Sequence, residues 1–133
     1  MYIDFAKELI KQHEGLSLVP YRCTAGKLTI GYGHNLDDKP ITEKMADFML
    51  EDDMAEFIIK AQSYDWFKKL DDRRKAVIVD MCYNLGSLTG WNNFQAALSS
   101  GDYESAADCM MNSKWAKQVG RRAVTLANIM SKG

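Results

Sequence analysis

The residues best suited to chemistry lie in one segment, residues 13–34, where polar side chains alternate with glycine and aromatic residues. Glu14 follows a helical pattern that stops at Gly15, so its carboxyl group is expected at the C-terminal end of a helix. Cys23 and Thr29 lie on a predicted hairpin just downstream. A carboxyl group facing a thiol and a hydroxyl group could protonate a substrate bond on one side and orient a water molecule on the other.

The first half of the chain supplies the elements that position these groups. Asp4 is a suitable N-cap for a first helix that ends at Glu14. Residues 16–34 predict a small antiparallel hairpin or three-stranded sheet, with its turn at residues 24–27. A helix is expected over residues 42–62, and its apolar residues face more than one direction. Solvent would then reach only a narrow strip of this helix, which is typical of a helix that joins two lobes.

The sequence pattern of the second half of the chain predicts only helices. Asp71 and Asp72 begin a helix that is apolar almost all round and ends near Gly86, which places it at the centre of a C-terminal core. Further helices are predicted at Trp91–Ser99, Asp102–Asn112 and Gly120–Met130. Because the strands precede the helices, the fold class is α+β and mostly helical. We expect one domain with an N-terminal lobe over residues 1–62, including the long connecting helix, and a helical lobe over residues 63–133.

Composition excludes several classes of protein. The chain has 133 residues, a formal net charge of −1, 47% hydrophobic and 26% charged residues, which fits a folded domain. Near-neutral charge gives little attraction to nucleic acid. Three cysteines without C-x-x-C spacing indicate neither a disulfide framework nor a zinc site, so reduced thiols and no metal or cofactor are expected. Neither a signal peptide nor a membrane-spanning segment is indicated, so we expect no independent route across a membrane.

The spacing of the three candidate residues matches a known pattern. Glu14 is followed after eight residues by Cys23, and Cys23 is followed after five residues by Thr29. This resembles the signature of the phage-type lysozymes, glycoside hydrolase family 24, which reads Glu, eight residues, Asp or Cys, five residues, Thr. The sequence T-I-G-Y-G-H at residues 29–34 is similar to the T-[IV]-G-x-G-H motif of that family. Later segments that are similar to family segments, in the same order, are Tyr83–Gly86, Ser113–Trp115, Gln118 and Arg122.

The resemblance implies a muramidase. Glu14 would be the general acid for the β-1,4 bond between N-acetylmuramic acid and N-acetylglucosamine in peptidoglycan, and Cys23 and Thr29 would activate the attacking water. Cys23 stands where many relatives carry aspartate, so the chain resembles a variant with cysteine in place of the catalytic aspartate. A thiol is a poor base unless its pKa falls below about 8.5, but a thiolate is an excellent nucleophile. Water-mediated inversion, as in the members of the family that carry aspartate, is favoured, with a covalent thioglycosyl route as the alternative.

The resemblance also implies supporting residues. Arg122 would pair with Glu14, and His34 would form an ion pair with Asp53 of the long helix. Positions near the saccharide groove of relatives are Asn35, Tyr83, Asn84 and Phe94.

Several of these side chains have a structural explanation as well. Tyr83 and Phe94 suit core packing and sugar contact equally. Cys82 and Cys109 lie on apolar helix faces and are expected to pack there.

The biological setting also follows from the resemblance. An endolysin of this family would accumulate in the host cytoplasm as a monomer and reach peptidoglycan after a holin opens the membrane. Neither nucleic acid nor stable membrane association is expected.

Two other functions remain open from the sequence. A lytic transglycosylase also uses one acid, but it forms a 1,6-anhydro ring and has no need for a water-positioning pair. A wall-binding relative could have kept the fold and lost turnover when its aspartate became Cys23. A helix-turn-helix DNA-binding protein over residues 102–130 would need more positive charge and a recognition helix rich in Arg, Asn and Gln.

Overall fold

The structure, a computed structural model, describes residues 1–133. The elements in chain order are α1 (Tyr2–Glu14), β1 (Ser17–Arg22), β2 (Leu28–Gly31), β3 (His34–Asn35), α2 (Glu43–Gln62), a short 3-10 helix (Phe67–Lys69), α3 (Asp72–Leu85), α4 (Asn92–Ser100), α5 (Tyr103–Met111), α6 (Lys114–Val119) and α7 (Arg121–Lys132). This confirms the predicted mostly helical α+β fold with a small antiparallel sheet. None of the helices has both the length and the apolar character needed to cross a bilayer.

The chain forms two compact units, Met1–Met49 and Leu50–Gly133. The boundary between them falls inside α2, so this helix contributes residues to both units. The lobes expected from the sequence divide at the end of α2 instead, at residues 62 and 63. The second half of the helix belongs to the C-terminal unit, where its residue Phe57 packs against Tyr83.

The sheet of the N-terminal unit has the strand order β1-β2-β3, and both pairs are antiparallel. The three-stranded alternative is therefore the correct one. Thr29 of β2 lies opposite Tyr21 of β1 and opposite Asn35 of β3. Residues directly opposite one another project from the same face of a sheet, so these three side chains form one row across it.

The turn between β1 and β2 lies at residues 24–27, as predicted. The backbone N–H of Cys23 donates to the carbonyl of Lys27 at 3.0 Å, and the N–H of Gly26 donates to the carbonyl of Cys23 at 2.8 Å. Gly26 has a φ of +77°, a conformation that glycine adopts without steric cost. The hydrogen bonds fix Cys23 at the point where β1 ends.

The start of α1 differs from the prediction. The helix begins at Tyr2 with Met1 at the N-cap, and Asp4 lies inside the first turn, so the prediction of Asp4 as the N-cap is wrong. A carboxylate in the first turn still complements the helix dipole. The helix ends at Glu14, as predicted, and Gly15 follows with a φ of +71°.

The long helix α2 begins as the sequence predicts. The hydroxyl oxygen of Thr42 accepts a hydrogen bond from the backbone N–H of Met45 at 3.2 Å, which caps the first turn. Most of the helix is exposed, and Ala61 near its end is its one fully buried residue. Solvent therefore reaches far more of α2 than the narrow strip that its apolar pattern indicates.

The C-terminal unit contains the hydrophobic core, and α3 lies at its centre as predicted. The side chain of Asp71 accepts from the N–H of Arg74 at 3.3 Å, and Gly86 ends the helix with a φ of +86°. The residues of α3 that are buried in the core are Val77, Ile78, Met81 and Cys82. Burial of Cys82 agrees with the packing role expected for it.

The other helices predicted from the sequence are confirmed within a few residues. The structure also contains two helices that the sequence analysis did not predict, α6 and the 3-10 helix. The hydroxyl oxygen of Ser113 accepts from the N–H of Ala116 at 3.1 Å and caps α6. This cap was the available signal, but a helix of 6 residues is too short to show a clear apolar period.

Candidate active site

The carboxyl group of Glu14 lies against the backbone of Gly33, in the turn between β2 and β3. A Cβ atom at position 33 would collide with Oε2 of Glu14 and would lie 2.9 Å from its Cδ. The missing side chain at this position therefore leaves room for the carboxyl group beside the sheet.

Glu14 also lines a cavity of about 320 Å³ together with Gly15, Leu16, Ser17 and Tyr21. Tyr21 is the residue of β1 that lies opposite Thr29. One wall of the cavity thus belongs to the cross-strand row that contains Thr29. The last residue of α1 and the sheet thus border an open pocket that a substrate group can enter.

Cys23 and Thr29 form a second group on the same sheet. Thr29 is 3% exposed, and its hydroxyl donates to the carbonyl of Lys27 at 2.9 Å. Cys23 is half-buried. Hydrogen bonds from the backbone at Lys27 and Ala25 lower the pKa of the Cys23 thiol, and partial burial opposes them. These contacts favour the thiolate.

Lys27, in the turn that follows Cys23, has a charged partner of its own. The ammonium group of Lys27 lies 3.0 Å from Oδ1 of Asp38. This hydrogen-bonded partner raises the pKa of Lys27, and attraction to Asp37 and to Cys23 acts in the same direction. A lysine that stays protonated near Cys23 supports the thiolate in return.

Two other predicted residues of this unit have local partners. The amide of Asn35 donates to Oδ2 of Asp38 at 2.9 Å and accepts from the N–H of Asp38 at 3.1 Å. Nε2 of His34 lies 2.8 Å from the carbonyl of Lys39. The ion pair between His34 and Asp53 and the saccharide contact of Asn35 stay predictions.

Arg122 has a carboxylate partner within the C-terminal unit. Its guanidinium donates to Oδ1 of Asp80 through Nε at 2.9 Å and through Nη2 at 2.6 Å. Sequence reasoning missed Asp80, although an aspartate inside the apolar run of α3 was a signal of a specific partner. The pairing of Arg122 with Glu14 stays a prediction.

Tyr83 and Arg122 line an apolar cavity of about 460 Å³ in the C-terminal unit. Tyr83 is 40% exposed and packs edge to face on Phe57, with 5.4 Å between ring centroids. Its exposed part is free to meet a ligand, so the predicted sugar contact is sterically open to Tyr83.

The other two predicted groove residues are held by aromatic neighbours. Asn84 accepts a hydrogen bond from Nε1 of Trp115 at 2.6 Å. Phe94 is 1% exposed and packs edge to face on Trp91. Of the two explanations for Phe94, this burial favours core packing over sugar contact.

Comparison with known proteins identifies the family. The model of the phage lysozyme family matches residues 11–129, a range that includes Glu14, Cys23 and Thr29. The chain belongs to the phage lysozyme family. No cluster of His, Cys, Asp and Glu side chains in the chain has the arrangement of a metal site.

Two relatives of the chain are named endolysins. The endolysin of Acyrthosiphon pisum secondary endosymbiont phage 1 is 34% identical over 121 residues, which cover 86% of this chain and 80% of that protein. The endolysin of Bacillus phage B103 is 33% identical over 123 residues, which cover 85% of this chain and 44% of that protein. The chain therefore spans less than half the length of the second relative.

Proposed function

We propose that this phage lysozyme is an endolysin of glycoside hydrolase family 24 that hydrolyses the β-1,4 bond between N-acetylmuramic acid and N-acetylglucosamine in peptidoglycan. The observation that carries the proposal is the arrangement on the N-terminal sheet. The Glu14 carboxyl group lies in a cavity whose wall reaches the row of Thr29, and the Cys23 N–H and the Thr29 hydroxyl both donate to the carbonyl of Lys27. The endolysin names of both relatives support peptidoglycan as the substrate.

Glu14 is the general acid. It donates its proton to the glycosidic oxygen as the bond to the anomeric carbon breaks, so the leaving sugar departs as a neutral alcohol. A cavity beside the carboxyl group gives the glycosidic oxygen a place to approach it.

Cys23 and Thr29 act on the attacking water. The Thr29 hydroxyl uses its proton toward the carbonyl of Lys27, so its oxygen lone pairs can accept a hydrogen bond from water. The Cys23 thiolate takes the second proton of that water while the water oxygen bonds to the anomeric carbon. These reaction steps invert the anomeric configuration. In them the Cys23 thiolate serves as the base, in place of the aspartate that many relatives carry at this position.

A covalent route uses the same residues differently. The Cys23 sulfur would attack the anomeric carbon, and water would then hydrolyse the thioglycosyl bond. Two inversions give retention, so the two routes release opposite anomers. The partial burial of Cys23 and its position beside Thr29 favour the water route.

The proposal extends to the setting of the reaction. The chain accumulates as a monomer in the host cytoplasm and meets peptidoglycan once a holin has opened the membrane. No metal or cofactor takes part in the steps described above.

Reducing-end release from purified peptidoglycan, with NMR of the anomers and mass spectrometry of the products, tests this function. Wild type should release hydrated products with inverted anomers, and Glu14→Gln should abolish release while keeping the circular dichroism spectrum. Glu8→Gln is the matched control, because Glu8 lies on the same helix and pairs with Lys11 at 3.8 Å. Activity in Glu14→Gln would remove the assigned acid. Products lighter by one water would indicate a transglycosylase, and binding without release would indicate a non-catalytic wall protein.

A further inference from the structure

Four glycines in the N-terminal unit have a positive φ: Gly15, Gly26, Gly31 and Gly33. A side chain would strain the backbone at each of them. Three of the four face open space, since an added Cβ atom would have no neighbour within 4 Å. Gly33 is different because its Cβ atom would strike the carboxyl group of Glu14. A positive φ favours glycine at all four positions. At position 33, glycine also leaves room for the Glu14 carboxyl group.

The carboxyl group of Glu14 has no other support in its own unit. No side-chain hydrogen bond or ion pair within the N-terminal unit holds it, whereas Asp37 and Asp38 of the same unit are both paired. Its position is set by its own torsions and by its contact with Gly33. A glutamate side chain without hydrogen bonds or ion pairs would ordinarily sample several rotamers.

We propose that Gly33 is a positioning residue for Glu14: the absent side chain at position 33 lets the acid's carboxyl group rest against the turn between β2 and β3. This inference rests on the proposed role of Glu14 as the general acid. The turn is held on both sides by the pairing of Ile30 with His34, so a methyl group at position 33 cannot retreat easily. The carboxyl group is the end of a flexible side chain, and it moves instead.

The predicted effect is on turnover. Moving a catalytic group by about 1 Å can cost about a hundredfold in rate. We expect Gly33→Ala to lower kcat about a hundredfold and to leave KM unchanged, because the methyl group displaces the acid and leaves the residues proposed for saccharide binding untouched.

Gly31→Ala is the matched control. Gly31 has a φ of +69° against +72° for Gly33, but an added Cβ atom there meets nothing within 4 Å. Both variants should lose a similar amount of melting temperature from backbone strain, and Gly31→Ala should keep nearly all of its kcat. If both variants lose kcat equally, the positioning role is overturned.

Carboxyl ¹³C NMR of Glu14 gives a readout that does not need activity. The Glu14 signal should move in Gly33→Ala and stay in Gly31→Ala. A signal unmoved in both, or a moved signal with wild-type kcat, overturns the positioning role even if Glu14→Gln is inactive. If Glu14→Gln remains active, the proposed function fails, and a positioning role for catalysis fails with it. These two failures are distinguishable because the Glu14→Gln assay is independent of position 33.

The melting temperatures of the two glycine variants guard against unfolding. Gly33→Ala should melt at about the same temperature as Gly31→Ala, because the flexible carboxyl group moves away from the added methyl group. A melting temperature far below that of Gly31→Ala would show that Gly33→Ala acts through the backbone, and the proposal would be wrong.

Discussion

Arg122 on α7 donates two hydrogen bonds to a single carboxylate oxygen of Asp80 on α3, at 2.9 and 2.6 Å. A further hydrogen bond from Nη2 of Arg122 reaches the carbonyl of Asp80 at 3.4 Å. The two side chains are 38% and 40% exposed, so water screens the charges on both. This pair joins two helices of the core at its surface.

The pair predicts a small effect on stability. Asp80→Asn should lower the free energy of unfolding by about 1 kcal/mol or less, because exposed ion pairs contribute little and the amide oxygen can still accept a hydrogen bond. Urea denaturation measures it, with Asp72→Asn as a control on the same helix. A loss of about 3 kcal/mol or more would mean that the pair behaves as a buried one.

Substitutions at Cys23 should separate its chemistry from its size. Cys23→Asp should retain more activity than Cys23→Ser, because a carboxylate can accept a proton from water near neutral pH and a serine hydroxyl cannot. Rates of reducing-end release on purified peptidoglycan measure the order. Equal activity of the serine variant and wild type would show that position 23 plays no part in activating water.

The cysteines should differ in their alkylation by iodoacetamide. Backbone hydrogen bonds at Lys27 and Ala25 lower the pKa of Cys23, whereas burial raises the pKa of Cys82. The thiolate is the reactive form, so the midpoint of the Cys23 reaction should lie at lower pH than that of Cys82. Peptide mass spectrometry after short labelling pulses gives the pH dependence of alkylation for Cys23 and for Cys82.

Lys27→Gln tests the electrostatic part of this prediction. Removal of the ammonium group should move the Cys23 midpoint upward, while the backbone hydrogen bonds remain. A wild-type midpoint for Cys23 at or above the midpoint for Cys82 would contradict the lowered pKa of Cys23.

Stability should depend on pH through the cap of α3. Partial burial raises the pKa of Asp71, but hydrogen bonds from the side chain and the backbone N–H of Arg74 outweigh it, so the pKa is lowered. A carboxyl group with a lower pKa in the folded state stabilises the protein above its unfolded value of about 3.9, and this contribution is lost as the pH falls through the folded value.

Asp71→Asn isolates that contribution. The amide of the variant can cap the helix but does not titrate. The free energy of unfolding of wild type should therefore exceed that of the variant by up to about 1 kcal/mol at neutral pH. The difference should shrink as the pH falls below about 4. Urea denaturation at several pH values measures it, and a difference that is constant with pH would contradict the prediction.

Truncation of Phe94 should affect mainly stability, whereas truncation of Tyr83 should affect mainly KM. Phe94→Ala should lower the free energy of unfolding by about 3 to 5 kcal/mol, because it empties a buried site. Tyr83→Ala should cost less stability and should raise KM, since Tyr83 keeps 40% of its surface exposed. A KM change in Phe94→Ala at constant stability would restore Phe94 to the saccharide groove.

Local signals in the sequence predicted the elements well. Asp71 and Gly86 mark the two ends of α3 through a side-chain cap and a left-handed φ, and both features depend on residues a few positions apart. The turn at residues 24–27 is equally local. The N-cap of α1 was wrong because Met1 and Tyr2 extended the helix past the capping residue, and no side-chain hydrogen bond opposed that extension.

For the site, the sequence determined which groups are present, and their spacing in the chain: an acid at a helix end, and a thiol and a hydroxyl around one turn. Only tertiary structure decided that Glu14 rests on Gly33, that Thr29 is buried, that Phe94 belongs to the core and that Arg122 meets Asp80. Caps and turns are set by neighbours along the chain, so a sequence reveals them. Contacts between separate elements depend on how whole faces pack, and burial and charge pairing are settled by that packing.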